Sequence, residues 1–333
     1  MEYSYRTGRT ARSSRRSGPR PPVLILFLVL AALLFFIIIC IGVLLNIPAS
    51  SGQTPDAEST SSPDMQTGIP KPTDIPDGYT LQVMTQQEMG MGDLILVNNS
   101  HACTLPDGDG LVSVYDHMNG PYFVRDTEVL LSDRVIPQLD AMMEGFHAAT
   151  GQSFMNITSG YRSSEDQQRI YEQNAARYGE DHTRTFVAQP GCSEHQTGLA
   201  FDLNIYYADT GDCNEFENVP ESSWILAHAY EYGFVQRYEA DKSDITGISN
   251  EPWHFRYVGP VHAGLMHENR MCLEEYVDYL RDYDFFGDHL TYSQGGKTYE
   301  IYFCAGTNVY LPENAAYSLS GNNVDGFIVT VGI

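Results

Sequence analysis

The sequence predicts an α+β fold, in which a small and mostly antiparallel sheet carries helices packed against it. Some segments repeat apolar residues at helical spacing, others alternate apolar and polar residues, and turn-rich connections separate the two kinds. No internal repeat occurs along the 333 residues. This length accommodates one large domain or two modest ones, together with appendages.

The helices are predicted from apolar periodicity and from residues that can cap or end them. Ser163 can cap a helix that has Asp166 in its first turn, while Gly151 and Gly233 can end two others. The periodicity predicts helices over residues 132–150, 164–178, 222–232 and 273–282.

The strands are predicted from alternation of apolar and polar residues. In residues 199–205 the apolar side chains share one face of the strand, and Asp202 lies on the other. A buried carboxylate needs a partner, which a metal ion, an arginine or a helix N-terminus can supply. Further strands are expected over residues 93–97, 154–158, 234–238, 253–258 and 327–331, with a hairpin around a turn at 294–297.

We expect the chain to consist of five parts. They are a basic tail (1–22), a transmembrane helix (23–46), a disordered linker (47–78), a main domain (79–285) and a small β appendage (286–333). The apolar run is longer than the core of a typical signal peptide, which is the alternative interpretation. Six arginines in the tail predict a cytoplasmic N-terminus and an extracellular main domain, as in a single-pass protein of the cell membrane.

The charge balance argues against nucleic acid as a partner. Without the six arginines and Glu2 of the tail, 13 basic and 42 acidic residues remain, which gives a net charge of −29. Such a surface repels nucleic acid and suits a soluble domain outside the cell, where disulfides can form. The pairs favoured by short intervening loops are Cys192 with Cys213 and Cys272 with Cys304.

Two short segments hold residues that can bind a metal ion. His195 and Asp202 flank Gly198, whose turn can bring them together, and His254 follows three residues after Glu251. Two imidazoles and a carboxylate leave a fourth position for water in a catalytic zinc site, and a second carboxylate can act as general base. Each residue alone has an ordinary structural interpretation, and only their combination favours the metal site.

Three ordered motifs resemble those of the VanY-type zinc D-alanyl-D-alanine carboxypeptidases, which are bacterial cell-wall peptidases. The motifs are SGYRS (159–163) with Gln167, SEHQTGLA (193–200) with Asp202, and EPWHFRYVG (251–259). The resemblance spans about residues 79–265. It implies the fold shared by these peptidases and the Hedgehog signalling domain, and it makes residues 79–285 a zinc peptidase domain.

The resemblance also implies roles for individual residues. Glu251 would be the general base, and Arg162 would hold the substrate carbonyl or the developing oxyanion. The implied zinc ligands are His195, Asp202 and His254. The further candidates for the substrate pocket are Ser193, Gln167, Trp253 and Arg256.

The implied function is removal of the C-terminal D-alanine from peptidoglycan stem peptides. An L,D-carboxypeptidase or an endopeptidase acting on peptidoglycan is an alternative, because the motifs define the reaction and not the shape of the subsites. A non-catalytic cell-wall-binding module is a third interpretation, against which the presence of Glu251 and Arg162 argues.

Overall fold

The computed structural model of the protein describes residues 75–106, 108 and 110–333. The expected basic tail, transmembrane helix and most of the linker lie outside these residues. Within the described part of the chain, no helix is both long and apolar enough to cross a bilayer. The described residues all belong to one structural unit.

The described residues form strands and helices in a mixed order. The strands are β1 (Tyr79–Val83), β2 (Leu111–Ser113), β3 (Phe123–Val124), β4 (Leu130–Ser132), β5 (Met155–Ser159), β6 (Ala200–Tyr207), β7 (Asp212–Glu215), β8 (Phe234–Tyr238), β9 (Glu251–Tyr257), β10 (Leu290–Gln294), β11 (Lys297–Ala305), β12 (Asn308–Pro312), β13 (Tyr317–Gly321) and β14 (Gly326–Gly332). The α-helices are α1 (Gln86–Met89), α2 (Val114–His117), α3 (Ile136–Thr150), α4 (Ser164–Tyr178), α5 (Glu180–Phe186), α6 (Ser222–His228), α7 (Ser243–Thr246), α8 (Pro260–Asn269) and α9 (Leu273–Leu280). This mixture confirms the predicted α+β class.

A mostly antiparallel sheet lies at the centre of the fold. Its strand order is β3-β5-β6-β9-β8, with β7 paired to β6, and only the pairing of β3 with β5 is parallel. On β6, Phe201 and Leu203 are buried in one hydrophobic cluster with Met142 and Phe146 of α3. Asp202 belongs to the opposite face, as the alternation predicted. The core therefore holds one face of β6 and leaves the other for polar side chains.

The C-terminal segment forms a second sheet of order β10-β11-β14-β13. The hairpin predicted around residues 294–297 joins β10 to β11. Strand β12 does not join this sheet but pairs with β1, so the start of the expected main domain pairs with part of the expected appendage. A hydrophobic cluster also joins the expected main domain to the expected appendage. It includes Leu265 of α8, Tyr276 of α9 and Ile301 of β11.

The structure differs from two predicted elements and contains a long helix that was not predicted. Residues 93–97 form no strand, although 94–97 are buried, because Leu94 N–H donates to the Ser320 hydroxyl and Leu96 N–H to the Asn322 carbonyl, both at 2.9 Å. The helix expected from residue 132 begins at Ile136 instead, because the preceding residues pair as β4 with β2. Helix α8 was not predicted, since its buried residues follow one another without a helical stripe.

The two expected disulfides are not formed. The thiols of Cys192, Cys213, Cys272 and Cys304 are all free. Cys272 precedes α9 near the second hydrophobic cluster, whereas Cys304 of β11 points into a different cluster beside Tyr302 and Val309. Cys213 is exposed on β7, while Cys192 lies in the loop before the His195 turn. Short sequence separation therefore did not bring either pair together.

Candidate metal centre

His195 lies in a 3₁₀ turn, Glu194–Thr197, that leads into β6. The turn closes at Gly198, which has φ of 67° and where a Cβ atom would lie 2.5 Å from Leu111 Cδ2. The Nδ1 atom of His195 is 2.6 Å from the carbonyl oxygen of Gly160. Because a carbonyl can only accept, Nδ1 carries the proton and the lone pair of Nε2 is free for another partner.

Asp202 and His254 face each other across neighbouring strands. They are directly paired in the register of β6 and β9, and Asp202 Oδ1 is 3.2 Å from His254 Nδ1. The other carboxylate oxygen, Oδ2, is 3.4 Å from His195 Nε2. One ligand atom from each of these three residues lies within 4.8 Å of the others. Sheet register and the Gly198 turn thus bring together residues from two separate motifs.

The donor set fits a zinc ion. The Nε2 atom of His195 and Oδ1 of Asp202 are buried, and neither has a hydrogen-bond partner among the described residues. Buried polar atoms without partners are costly, and a cation between them would satisfy both. Two imidazole nitrogens and one carboxylate oxygen are ligands that zinc accepts at a catalytic site with an open position.

The pKa values of the three residues reflect burial and mutual charge. Burial, with help from the nearby Arg162 guanidinium, lowers the pKa of His195 to about 4 and keeps it neutral. Burial alone would raise the pKa of Asp202, but the two imidazoles outweigh it and hold that pKa well below its usual range. The pKa of His254 is raised to about 9, because its carboxylate neighbours outweigh burial. A carboxylate that stays ionised and a neutral His195 are the forms that bind a metal.

Glu251 stands beside the three residues at the start of β9. Its Oε2 atom is 3.7 Å from His254 Nδ1, and its side chain is only 12% exposed. Burial is the main cause that raises the pKa of Glu251 to about 7, with Asp202 adding to it and His254 and Arg162 opposing it. A carboxyl group with a pKa near neutrality is suited to exchange a proton during catalysis.

Arg162 approaches Asp202 from the loop before α4. Its Nη2 atom is 3.5 Å from Asp202 Oδ2, and its Nη1 donates to Gln167 Oε1 at 3.0 Å. Gln167 is buried and donates in turn to the Ala188 carbonyl at 2.8 Å. The Nε–H of Arg162 is buried and has no hydrogen-bond partner among the described residues. Gln167 therefore holds the guanidinium, which keeps a donor available to a ligand.

A pocket of about 190 Å³ opens over these groups. Ser193 and Trp253 line it, as do Arg162, Gln167, Glu251 and the three candidate metal ligands. Arg256 does not: it is fully buried, and its guanidinium donates to Glu194 and to the carbonyls of Asp93 and Ile95. Arg256 shares a face of β9 with His254, but Glu194 and these two carbonyls hold its guanidinium in the interior, so the expected contact with substrate is not supported.

Sequence reasoning missed three residues near the site. Tyr238 lines the pocket, and its ring centroid is 4.9 Å from that of His254. Glu194 and Arg237 are fully buried behind His254 and are joined by a hydrogen bond of 2.8 Å. Glu194 lies inside a recognised motif, but a glutamate in a turn is usually exposed, and nothing in the pattern indicated its burial.

Comparison with known proteins identifies the family. The VanY model, described as D-alanyl-D-alanine carboxypeptidase, matches residues 128–260. A D-alanyl-D-alanine carboxypeptidase from Enterococcus faecium is 32% identical over 256 residues, which cover 75% of this chain and 78% of that protein. The chain belongs to the VanY family. The matched range includes all three motifs that carry the candidate metal centre.

A curated protein and a solved structure with related activities are also similar to this chain. The bifunctional D-Ala-D-Ala dipeptidase and carboxypeptidase VanXYC from Enterococcus gallinarum is 39% identical over 158 residues, covering 46% of this chain and 81% of that protein. The crystal structure of the vancomycin-resistance D,D-dipeptidase VanXYg, in complex with a D-Ala-D-Ala phosphinate analogue, superposes with a TM-score of 0.68 at 35% identity. That match covers 77% of this chain and 99% of the other.

Proposed function

We propose that this chain is a zinc-dependent D-alanyl-D-alanine carboxypeptidase, which removes the terminal D-alanine from peptidoglycan stem peptides. The observation that carries the proposal is the convergence of His195, Asp202 and His254 beside Glu251, in one pocket of a VanY-family chain. The three residues would hold the zinc ion. When bound, zinc supplies Lewis-acid polarisation of a carbonyl and a lowered pKa for water.

Glu251 is the proposed general base. Its carboxylate accepts a proton from the attacking water and later returns it to the amine of the departing D-alanine. Its position suits both transfers, because Glu251 lines the same pocket as the three candidate ligands and its Oε2 is 3.7 Å from His254 Nδ1. Its burial also limits competition from bulk water for that proton.

Arg162 is the proposed electrostatic partner of the substrate. It is the only lysine or arginine among the described residues that line the pocket. Its free Nε–H can donate to a substrate oxygen that gains negative charge, a contribution on the order of 3–4 kcal/mol for a well-placed donor. Ser193 can add a neutral hydrogen bond near the terminal carboxylate. The pocket is thus suited to a small residue at the end of a chain.

Product analysis tests this proposal against the other peptidoglycan bonds. Synthetic pentapeptide stems ending in D-Ala-D-Ala and the corresponding tetrapeptides would be incubated with the purified protein and analysed by mass spectrometry. The proposal predicts loss of one alanine from the pentapeptide and little change in the tetrapeptide. Cleavage of the tetrapeptide would indicate L,D-carboxypeptidase activity, and internal cleavage would indicate an endopeptidase.

A second candidate activity is hydrolysis of free D-Ala-D-Ala. It is favoured by the similarity to VanXYC, described as a bifunctional D-Ala-D-Ala dipeptidase and carboxypeptidase, and to VanXYg, described as a D,D-dipeptidase. The same residues would catalyse it, since the bond is the same and only the upstream peptide is missing. A comparison of kcat/KM for the dipeptide and the pentapeptide separates the two activities.

We propose further that the catalytic domain is tethered outside the cell by a single N-terminal transmembrane helix. The uncharged run over residues 23–45 and the six preceding arginines support this arrangement. Membrane fractionation of the full chain, followed by protease treatment of intact cells, tests it. A full-length protein recovered in the soluble fraction would argue against the tether.

A further inference from the structure

Glu194 is a buried carboxylate whose two oxygens have different surroundings. Its side chain is 0% exposed, and Oε1 accepts hydrogen bonds from Arg237 Nε and Arg256 Nη1, both at 2.8 Å. The two guanidinium groups allow the carboxylate to remain charged in the interior, where an unpaired charge is costly. They do not account for Oε2, which is buried and has no hydrogen-bond partner among the described residues.

The unpartnered oxygen faces the back of His254. Glu194 Oε2 is 3.7 Å from His254 Nε2, and that nitrogen is also buried and unpartnered among the described residues. A shift of about 0.8 Å would close this gap to an ordinary N–H···O distance. The other ring nitrogen, Nδ1, is 3.2 Å from Asp202 Oδ1 and faces the candidate metal position. The two nitrogens of His254 thus have two different acidic neighbours.

We propose that Glu194 is a positioning residue for the metal centre: it accepts the Nε2–H of His254 and so keeps the lone pair of Nδ1 directed at the zinc. This inference rests on the proposed zinc site, and it adds a residue that contacts a metal ligand and not the metal itself. A carboxylate behind a ligand histidine fixes the tautomer and ring orientation and increases the basicity of the ligand. His195 has the equivalent support from the Gly160 carbonyl.

An outer layer of contacts prevents Glu194 from turning. Arg237 binds Glu274 of α9 with two further hydrogen bonds, of 2.9 and 2.7 Å. Arg256 Nη2 donates to the carbonyls of Asp93 and Ile95 at 3.0 and 2.9 Å. Both arginines are fully buried, so neither can swing into solvent. The irregular segment 93–97 and helix α9 therefore help to hold Glu194 in place through the two arginines.

The test compares zinc affinity in the folded protein by competition with a chromophoric chelator. In Glu194→Gln the two arginines will attract the amide oxygen, so the amide NH₂ will face His254 Nε2. A donor opposite Nε2 favours the tautomer with its proton on Nδ1, which cannot bind a metal. We expect zinc affinity to fall about 10- to 100-fold. The matched control is Glu274→Gln, which also removes an acid from Arg237 but leaves the carboxylate opposite His254 in place, so its zinc affinity should fall much less than that of Glu194→Gln.

A second variant covers the case in which Glu194→Gln does not fold because of the unpaired arginine. Glu194→Gln combined with Arg237→Met removes the charge pair together, while Arg256 still orients the amide. Either folded variant should also lose the downfield proton resonance of a hydrogen-bonded His254 Nε2–H in the zinc-loaded protein. Wild-type zinc affinity in a folded Glu194 variant would overturn the inference, as would an equal loss in Glu274→Gln. If the wild type itself binds no zinc, the proposed function fails instead.

Discussion

Replacement of Glu251 by glutamine separates proton transfer from metal binding. The amide has the shape of the carboxylate but cannot accept a proton from water. Glu251 is not one of the three residues whose ligand atoms converge within 4.8 Å, so zinc binding should survive. Loss of a general base costs about 10²–10⁴-fold in kcat, which corresponds to about 3–5 kcal/mol of activation free energy.

We expect the loss of kcat in Glu251→Gln to lie in the upper part of that range, because no other described residue of the pocket can replace the base. No other carboxylate or histidine lines the pocket, among the described residues, apart from the three candidate ligands. The assay is steady-state release of D-alanine from a D-Ala-D-Ala pentapeptide, with zinc content measured by elemental analysis on the same preparation. Activity within a few-fold of the wild type would refute the assignment of the base. Loss of zinc from the variant would instead show that Glu251 supports the metal.

Three further predictions concern the metal, the substrate and the core. The candidate ligands are His195, Asp202 and His254. Replacement of any one of them by alanine should abolish stoichiometric zinc binding, as measured by elemental analysis. Full zinc occupancy in all three variants would contradict the site. Amidation of the substrate's C-terminal carboxylate should lower kcat/KM about ten- to a hundredfold, since a charge-assisted contact with Arg162 is worth about 1.5–3 kcal/mol. Equal cleavage of the amide and the free acid would favour an endopeptidase. Burial lowers the pKa of His262 to about 4, with Tyr276 and Thr330 as its hydrogen-bond partners, so the unfolded chain takes up the proton first as pH falls. Unfolding free energy should therefore fall by about 2–3 kcal/mol between pH 6.5 and 4.5 through this residue. Urea unfolding of His262→Gln should show a correspondingly weaker pH dependence, and an unchanged one would refute the assignment.

Local sequence patterns predicted several of the helices and strands that surround the candidate metal centre. The helix over residues 164–178 begins and ends as expected, and the hydroxyl of Ser163 accepts from Asp166 N–H as its cap. The alternation around Asp202 correctly separated the core face of β6 from the polar face. These features depend on residues close together in the chain, which is why periodicity and capping rules could find them.

Features that depend on distant partners could not be predicted in this way. Residues 93–97 have the composition of a strand, but their backbone groups bind side chains and loops more than 150 residues away, including Arg256. Arg256 was expected to meet substrate as a second cation for its terminal carboxylate, and only the position of buried Glu194 explains its place in the core. Charged groups that satisfy one another inside a protein leave no periodic signal in a single sequence.

The most direct test of the central claim is a zinc titration of the metal-free protein with D-alanine release as the readout. The protein would be stripped with a chelator, checked for retained fold by circular dichroism, and titrated with zinc in the presence of a D-Ala-D-Ala pentapeptide. The account predicts no release without zinc and a rise in rate that saturates at one zinc per chain, with no rise in Asp202→Ala. Full activity of the metal-free protein, or undiminished activation of Asp202→Ala, would contradict it.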